Sequence, residues 1–408
     1  MVFAVDFKGE TDSEILRNAM AGRDDDGILV IGPRKGKPHW LLDEAILLSA
    51  HTTVVLQNCK LKLSDRCRDN FFRSANCGLG IEDPAPMENI HIRGEGLCIL
   101  EGADRPRATG DGGKILHAPC PHLPEDICKL ADWIPEERRS PEKITFGDVH
   151  DHSYGTDAND PNESHYGDWR GIGVLFANVK NFSVSGLKVV RSHGWGLSFE
   201  ACSFGRIEKI EFDATMYQEI DGIKMNMENQ DGIDIRNGCH HIMISDITGM
   251  TGDDVVALTA IADKKFRPGG SLRTTHVMPN DWTKREPDIH DIIIRNVIAC
   301  SYLCFMVRLL PASAHIYNVV VDGLINTAPA DRYSRRALLL GVDADWGEPL
   351  SDGLRNITVS NVVSLSKNSV VLFGELQNSA ISNVVDRNPE GKSITLLDGG
   401  KLTNVAIN

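Results

Sequence analysis

The sequence lacks the features of several classes of protein. No run approaches the ~20 apolar residues of a membrane-spanning helix. The start, MVFAVDFKGETD, has no basic segment followed by a long apolar one, as a signal peptide has. No basic stripe is visible and the formal net charge is −14, which disfavours a nucleic-acid partner because phosphate binding needs clustered cations. We therefore expect no membrane or nucleic-acid partner and a cytoplasmic location.

The ten cysteines form no CxxC pair and no Cys/His spacing typical of zinc sites. Several lie inside apolar runs such as SFEACSF, where a thiol behaves as a small hydrophobe. This usage predicts free thiols in a reducing compartment. His150 and His152 have a spacing that could hold a metal, with His165 downstream, but a polar loop is the preferred interpretation. We expect neither a metal nor a cofactor.

What the sequence does contain is a repeat. An apolar residue, a variable residue, Asn and another apolar residue recur with Asn spacings of 22, 43, 22 and 21. β-Branched runs such as DIIIRNVIA surround each copy. A period near 22 is typical of a parallel β-helix with three strands per coil, whereas a propeller or sandwich needs other periods or Asn-Gly hairpins. We expect the repeated residues to share one left-handed corner and to bond along the axis; they are Asn296, Asn318, Asn361, Asn383 and Asn404.

The predicted fold is therefore all-β, a parallel β-helix of about 22 residues per coil that occupies residues 1–408 as a single domain. The segment TDSEILRNAMAG begins like a capping box and has one apolar face, which predicts a short helix that caps the first coil. The polar stretch 102–168 breaks the pattern, and we interpret it as a lobe inserted over the groove. Residues 264–288 form a second predicted loop excursion.

Four aspartates interrupt a stretch, residues 228–258, that otherwise has the pattern of buried strands. They are Asp231, Asp234, Asp253 and Asp254. A carboxylate near a core usually has a partner or a task. For an isolated DG or GDD, the capping of a strand end or turn would be the preferred explanation. Two such motifs one coil apart favour catalysis.

These motifs resemble those of glycoside hydrolase family 28, the polygalacturonase-like β-helix enzymes. Asn229-Gln-Asp231-Gly-Ile-Asp234 is similar to the family's N-T-D-G-x-D motif, with Gln in place of Thr. Gly252-Asp253-Asp254 resembles its G-D-D motif, and NFSVSGLKVVRSHGWGLSFEACS resembles the strand pair ahead of the active coil. The resemblance implies a right-handed parallel β-helix of the pectate-lyase-like superfamily and the hydrolysis of glycosidic bonds.

The resemblance also implies roles. Asp253 would be the general acid, and Asp231 and Asp254 would be the base pair that holds water. Inversion needs acid and base roughly 6.5 to 9.5 Å apart, and crowded carboxylates are expected to raise at least one pKa so that an acid stays protonated. Because neighbouring residues of a straight strand face opposite sides, the chain must bend near Gly232 and Gly252 for these side chains to meet.

Two elements of the family are missing. Leu303 stands where the histidine of its Gly-His-Gly would fall, and RYSRRALLLGVDADW replaces the coil that carries Arg-Ile-Lys. Arg335 or Arg336 is a candidate replacement. Since Arg-Ile-Lys grips a uronate carboxylate in the family, its loss leaves both uronates and neutral sugars open as substrates.

Further candidates for substrate binding lie around these motifs. Trp195 could stack on a sugar ring, and His193 could take the role of the missing histidine. Arg308 could point into the groove, and Lys224 lies in a second DGI. Ordinary packing or a solvated charge is the alternative for each. The predicted substrate-binding set is Asn229, Asp234, His193, Trp195, Arg308 and Lys224.

The preferred function is metal-independent, inverting hydrolysis of an α-linked oligosaccharide or polysaccharide, pectin-like or related. The lobe at 102–168 could block one end of the groove, which predicts exo action. One alternative is a lyase or epimerase that uses Lys224 and Arg308 as bases. Another is a non-catalytic carbohydrate-binding β-helix. The ending GGKLTNVAIN has no obvious cap, so the sequence is also compatible with a homo-oligomer.

Overall fold

The computed structural model describes most of the chain. The described residues are 1–23, 27–65, 67, 69–78, 81, 83–104, 169–192, 194–214, 217–220, 223–226, 230–262, 276–279, 281–302, 304–328, 336–342 and 350–408. The helices described are the 3-10 helices Ala4–Asp6 and Trp169–Gly171 and the α-helix α1 (Asp12–Ala21). No described helix is both long and apolar enough to span a membrane.

The remaining regular elements are strands. In chain order they are β1 (Val2–Phe3), β2 (Ile28–Ile31), β3 (Trp40–Leu42), β4 (Ile46–Leu48), β5 (Thr52–Gln57), β6 (Lys60–Leu63), β7 (Phe72–Ser74), β8 (Met87–Glu95), β9 (Ile99–Glu101), β10 (Val174–Ala177), β11 (Val179–Val190), β12 (Leu197–Glu200), β13 (Ser203–Asp213), β14 (Tyr217–Ile220), β15 (Ile223–Asn226), β16 (Ile233–Arg236), β17 (His240–Thr251), β18 (Val256–Thr259), β19 (Ile289–Ser301), β20 (Phe305–Leu310), β21 (Ile316–Asn326), β22 (Arg336–Leu340), β23 (Leu354–Ser364), β24 (Asn368–Asp386) and β25 (Lys392–Ile407).

The strands wind into a right-handed parallel β-helix, which confirms the predicted fold. A 23-stranded parallel sheet contains every strand except β14 and β15, which pair with each other in antiparallel fashion. Face A contains β4, β7, β10, β12, β16, β18, β20, β22 and the starts of β24 and β25. The long strands β11, β13, β17, β19, β21 and β23 each supply face B and then bend into face C. Earlier coils use separate strands, β5 and β8 for face B and β6 and β9 for face C.

The core is a stack of like residues. On face A, Val174, Leu197, Ile233, Val256 and Val307 occupy equivalent positions of successive coils, and all are fully buried. They point inward because side chains alternate along a strand, and each sits one coil, ~4.8 Å, from the next. Residues between them therefore point outward from face A.

A ladder of left-handed residues marks the corner from face A to face B. We call it the AB ladder; its residues have φ between 48° and 59° and are Asn89, Asn181, Phe204, His241, Asp291, Asn318, Asn356, Asn378 and Asn404. Asn is enriched here because it tolerates the left-handed conformation better than most residues. Side-chain amides join neighbouring rungs: Asn356 Nδ2 donates to Asn318 Oδ1 at 3.0 Å, and Asn404 Nδ2 donates to Asn378 Oδ1 at 2.8 Å.

A second ladder lies at the corner from face B to face C. Here Asn296 Nδ2 donates to Asp246 Oδ1 at 3.1 Å, and Asn383 Nδ2 donates to Asn361 Oδ1 at 3.2 Å. The predicted axial bonding of Asn is thus present, but the expectation of one shared corner is wrong. Asn318 and Asn404 belong to the AB ladder. The residue that matches Asn296 on the next coil is Gly323, five residues after Asn318. Because the coils differ in length, a fixed period near 22 assigns residues of two different corners to one.

The predicted capping helix is confirmed as α1. Thr11 Oγ1 accepts the N–H of Glu14 at 3.1 Å, which satisfies one free donor of the first turn. Ile15 and Leu16 are buried against the first coils. Asp12 is 4% exposed and accepts from Arg34 Nε and the N–H of Leu41, each at 3.0 Å, so the helix is also fixed by a buried ion pair.

The long connections between described strands all flank face A. They precede β10, β16 and β22 and follow β7, β18 and β22. The turn from face B to face C is tight from β11 onward, because a single strand continues through it. The predicted lobe lies outside the described residues except for Gly102, Ala103 and Asp104, and the predicted excursion is described only at 276–279 and 281–288. The eight cysteines that are described are free thiols, seven of them buried.

Candidate active site

The turn that enters face A brings the predicted acids together. The N–H of Gly196 donates to the carbonyl of Asp231, and the N–H of Gly232 donates to that of Asp254, both at 2.8 Å. Trp195, Asp231 and Asp254 therefore occupy equivalent positions of three successive coils, ~4.8 Å apart. Phe305 and Arg336 follow in the next two coils. We call these five residues the acid column.

Glycines make this turn possible. β17 ends at Thr251 and β18 begins at Val256, so the acids of the Gly252 motif lie in a turn and escape the alternation of a strand. The same holds for Asp231, which precedes β16. A Cβ on Gly232 would lie 2.4 Å from the carbonyl oxygen of Val255, far inside any real contact. The close approach of successive coils thus requires glycine beside Asp231.

Asp254 is held by a backbone donor and a cation. Its Oδ1 accepts the N–H of Phe305 at 3.0 Å, and its Oδ2 lies 3.8 Å from Arg308 Nη1. Asp253 Oδ1 accepts the N–H of Asp254 at 3.0 Å. Asp231 and Asp253 are each 7% exposed and Asp254 is 3% exposed. Two aspartates on neighbouring coils and a third beside them therefore share a nearly closed site with one arginine.

One cysteine extends this group. The carboxylate oxygens of Asp253 and Asp254 and the Cys304 thiol lie within 4.8 Å of one another. Two hard oxygen donors and one soft sulfur are an uncommon ligand set for a single cation. The arrangement could hold a metal. The alternative is that the Cys304 thiol simply forms part of the wall of an acid–base site.

Asp234 points outward from face A, as its position between two core residues predicts. It is in register with Ser198 of the preceding coil and Ala257 of the next, and Arg308 follows Ala257 in the same row. Asp234 is only 1% exposed. It therefore lies in the floor beside the acid column, beneath other groups.

A buried polar network beside the column was missed at the level of sequence. His276 Nδ1 lies 2.7 Å from Glu200 Oε1, and His276 Nε2 lies 2.6 Å from Arg236 Nη2. The N–H of Val277 donates to Glu200 Oε2 at 2.9 Å. The Arg236 guanidinium in turn lies 4.6 Å from the ring centroid of Trp195. The network fixes the residue that begins the acid column.

One weak signal for this network is visible in the sequence. Glu200 and Arg236 both end apolar face A strands, LSFE and IDIR, where a charge is unexpected. Their partner His276 is 76 residues from Glu200, so no local pattern could have connected them.

Of the predicted site residues, the structure brings Asp231, Asp253, Asp254, Asp234, Trp195 and Arg308 to face A. Arg336 lies at the end of the acid column, its guanidinium 5.5 Å from the ring centroid of Phe305 and 5.8 Å from that of Phe373. Lys224 belongs to β15, apart from the main sheet, and its side chain lies outside the described part of the chain. The other predicted positions outside the described residues are Asn229, His193, Leu303, Arg335, His150, His152 and His165.

Comparison with solved structures finds proteins that share the parallel β-helix. No family model matches the sequence, and neither does any curated protein. An exopolygalacturonase from Thermotoga maritima is similar in structure, with 17% identity, a TM-score of 0.55, and coverage of 100% of this chain and 91% of that one. A polygalacturonase from Erwinia carotovora ssp. carotovora has 12% identity, a TM-score of 0.52, and coverage of 98% and 91%.

The chain has the polygalacturonase-like parallel β-helix fold. The resemblance predicted from the aspartate motifs is confirmed at this level. A tailspike protein mutant of E. coli bacteriophage HK620, in complex with pentasaccharide, also shares the fold, with 10% identity, a TM-score of 0.55, and coverage of 99% of this chain and 65% of that one. At these identities the likeness shows the fold alone.

Proposed function

We propose that this protein is a glycoside hydrolase that cleaves an α-linked glycan with inversion, using the aspartates of face A. The observation that carries the proposal is the placement of Asp231 and Asp254 at equivalent positions of neighbouring coils, with Asp253 beside Asp254. A non-catalytic β-helix has no need for three nearly buried carboxylates in the turns of two neighbouring coils, since burying a charge is costly. Similarity in fold to two polygalacturonases supports the same conclusion.

In this mechanism Asp253 is the acid. Its proton passes to the glycosidic oxygen as the bond from that oxygen to the anomeric carbon breaks. Asp231 and Asp254 hold a water on the opposite face of the sugar and take its proton as the water oxygen bonds to the anomeric carbon. One oxygen of Asp253 lies within 4.8 Å of one of Asp254, which is closer than the roughly 6.5 to 9.5 Å expected for inversion. The anomeric configuration of the released sugar therefore tests the inverting step. Arg308 beside Asp254 supports a charged carboxylate there, because an adjacent cation favours the ionised form.

The preferred substrate carries negative charge. Arg308 is beside Asp254, and Arg336 ends the acid column two coils further on. These cations offer partners to the carboxylate of a uronate, in place of the absent Arg-Ile-Lys. The low exposure of the acids supports action at a chain end, because attack within a polymer needs a cleft open at both ends.

A lyase is the second candidate. Arg308 could serve as its base, and the group of Asp253, Asp254 and Cys304 could hold a cation that neutralises a uronate. Elimination would yield an unsaturated product and would be sensitive to EDTA. Binding without cleavage is the third candidate, and the fold shared with the tailspike protein supports it.

The test is release of reducing sugar from α-linked pectic, hemicellulosic and storage oligosaccharides, by wild type and Asp253→Asn, with and without EDTA. Asp246→Asn is the matched control, because Asp246 is a left-handed ladder residue to which Asn is suited. Cleavage by wild type and the control but not by Asp253→Asn, unaffected by EDTA, supports the proposal. An EDTA-sensitive unsaturated product would establish the lyase, and binding with no cleavage would establish the third candidate.

A further inference from the structure

A second cluster of titratable side chains lies away from the acid column, at the corner from face A to face B. It contains His240 and His241 on one coil and His290 and Asp291 on the next. His240 is in register with His290, and His241 and Asp291 are consecutive rungs of the AB ladder. The proposed hydrolysis uses none of these groups.

The left-handed corner explains why neighbours in sequence converge here. In an extended strand, His240 and His241 would point to opposite sides. His241 has φ of 55° and Asp291 has φ of 56°, and this bend turns both members of each pair outward. Two such pairs, stacked ~4.8 Å apart, bring His241, His290 and Asp291 around one point.

The distances suit a metal ion. His290 Nδ1 lies 2.8 Å from Asp291 Oδ2, and His241 Nδ1 lies 3.6 Å from the same oxygen. His240 Nδ1 lies 2.8 Å from His241 Nδ1. One ligand atom from each of His241, His290 and Asp291 lies within 4.8 Å of the others. Ligands at about 2.0–2.1 Å from a tetrahedral zinc ion are separated by distances of this order.

Surrounding groups hold the ligands in place. Asn318 Nδ2 donates to Asp291 Oδ1 at 2.9 Å, which leaves Oδ2 directed at the histidines. The His290 ring stacks between His240 and Tyr317, with centroids 5.0 and 4.9 Å apart.

We propose that His241, His290 and Asp291 form a binding site for a divalent transition-metal ion such as Zn²⁺. Imidazole and carboxylate ligands suit this class of ion. The cluster is open to solvent on one side, since the side chain of His241 is 47% exposed and that of Asp291 is 35% exposed, so the ion can enter.

Such an ion would join the two ends of one coil. The segment between His241 and Asp291 carries Asp253 and Asp254 and the long connection after β18. Metal binding at its ends would therefore clamp the coil that bears the predicted acid. This role is structural, so it stands or falls independently of the proposed hydrolysis.

The experiment titrates metal-free protein with Zn²⁺ by calorimetry and with Co²⁺ by visible absorption. His241→Asn and Asp291→Asn remove ligands while keeping a residue that the AB ladder accepts. His51→Asn is the matched control, because His51 is also a left-handed corner residue, with φ of 58°, that hydrogen-bonds to the next rung through Asn89. Cys304→Ser removes the thiol of the other candidate group.

We expect wild type, His51→Asn and Cys304→Ser to bind Zn²⁺ alike. Each ligand variant should bind at least roughly 10- to 100-fold more weakly, which is the loss typical of removing a group that only supports a ligand. Co²⁺ should give the strong d–d bands of a tetrahedral nitrogen–oxygen site, and Zn²⁺ should raise the Tm of wild type but not of His241→Asn. Equal Zn²⁺ affinity in wild type and both ligand variants would overturn the proposal, as would Zn²⁺ binding that disappears in Cys304→Ser.

Discussion

The acid column and the AB ladder are both stacks of equivalent positions, yet they differ in how their residues change. Along the AB ladder Asn occupies six of the nine positions, because each coil needs a left-handed bend there and Asn can add an axial hydrogen bond. Along the acid column the residue changes at every coil except between Asp231 and Asp254. Residues that recur from coil to coil thus maintain the shape of the solenoid. A column of equivalent positions whose residues differ from coil to coil is where the proposed active site lies.

The largest expected effect is in the acid column. Asp231→Asn should lower kcat about 10²- to 10⁴-fold, because it removes half of the pair that activates water. The double variant with Asp254→Asn should lose little more, since residues that act as a unit are not additive. The measurement is kcat on whichever oligosaccharide wild type cleaves, with Tm as a check on folding. A full additive loss would show that the two carboxylates act separately.

The next effect tests the turn that carries the column. Gly232→Ala should destabilise the fold by about 3 kcal/mol, because its Cβ meets the Val255 carbonyl at 2.4 Å and the Phe212 ring at 2.9 Å. Gly32→Ala is the control, since a Cβ there meets nothing within 4 Å. Urea denaturation of both variants measures the difference. If the two variants prove equally stable, neighbouring coils do not approach each other at Gly232 as closely as these distances indicate.

A smaller effect is expected in the ladder. Asn356→Ala should cost about 2 kcal/mol, since it loses the bond to Asn318 and places Ala at φ of 55°. Asn356→Gly should cost only about 1 kcal/mol, because Gly accepts that conformation. Catalysis should not change in either variant. A loss of activity without a loss of stability would contradict the division between scaffold and chemistry.

The smallest effect concerns a charge beside the second ladder. Hydrogen bonds from Ser360 and Asn361 lower the pKa of Asp322 below its usual value of 3.8. A depressed pKa in the folded state adds stability above the unfolded pKa, and this is lost as pH falls through the folded value. Wild type should therefore be slightly more stable than Asp322→Asn at pH 7, and the gap should close below about pH 4. Denaturant unfolding at both pH values checks this, and a gap that widens in acid would contradict it.

The fold could be predicted because it repeats. Each coil buries an apolar residue at the same place, so the pattern of β-branched residues and Asn emerges from the chain many times over. The assignment of Asn318 to the same corner as Asn296 failed because coil length varies, and a fixed period cannot distinguish two corners five residues apart.

The site was predictable only where it follows the same regularity. Asp231 and Asp254 could be paired because no long connection separates their coils. The His276 network and the metal cluster could not be found in this way. Glu200 meets His276, and His241 meets Asp291, only after long connections whose lengths the coil period does not set. The alternation of side chains along a strand does not separate Asp231, Asp253 and Asp254, because these three residues lie in turns.

The confinement of long connections to the two sides of face A has a consequence for evolution. Insertions there lengthen a loop at little entropic cost and leave the stacked core intact. The B-to-C corner tolerates no such change from β11 onward, because one continuous strand passes through it. New specificities can therefore arise by exchanging the walls of face A among homologues, and related chains should diverge in length at those two boundaries while the B-to-C corner stays constant.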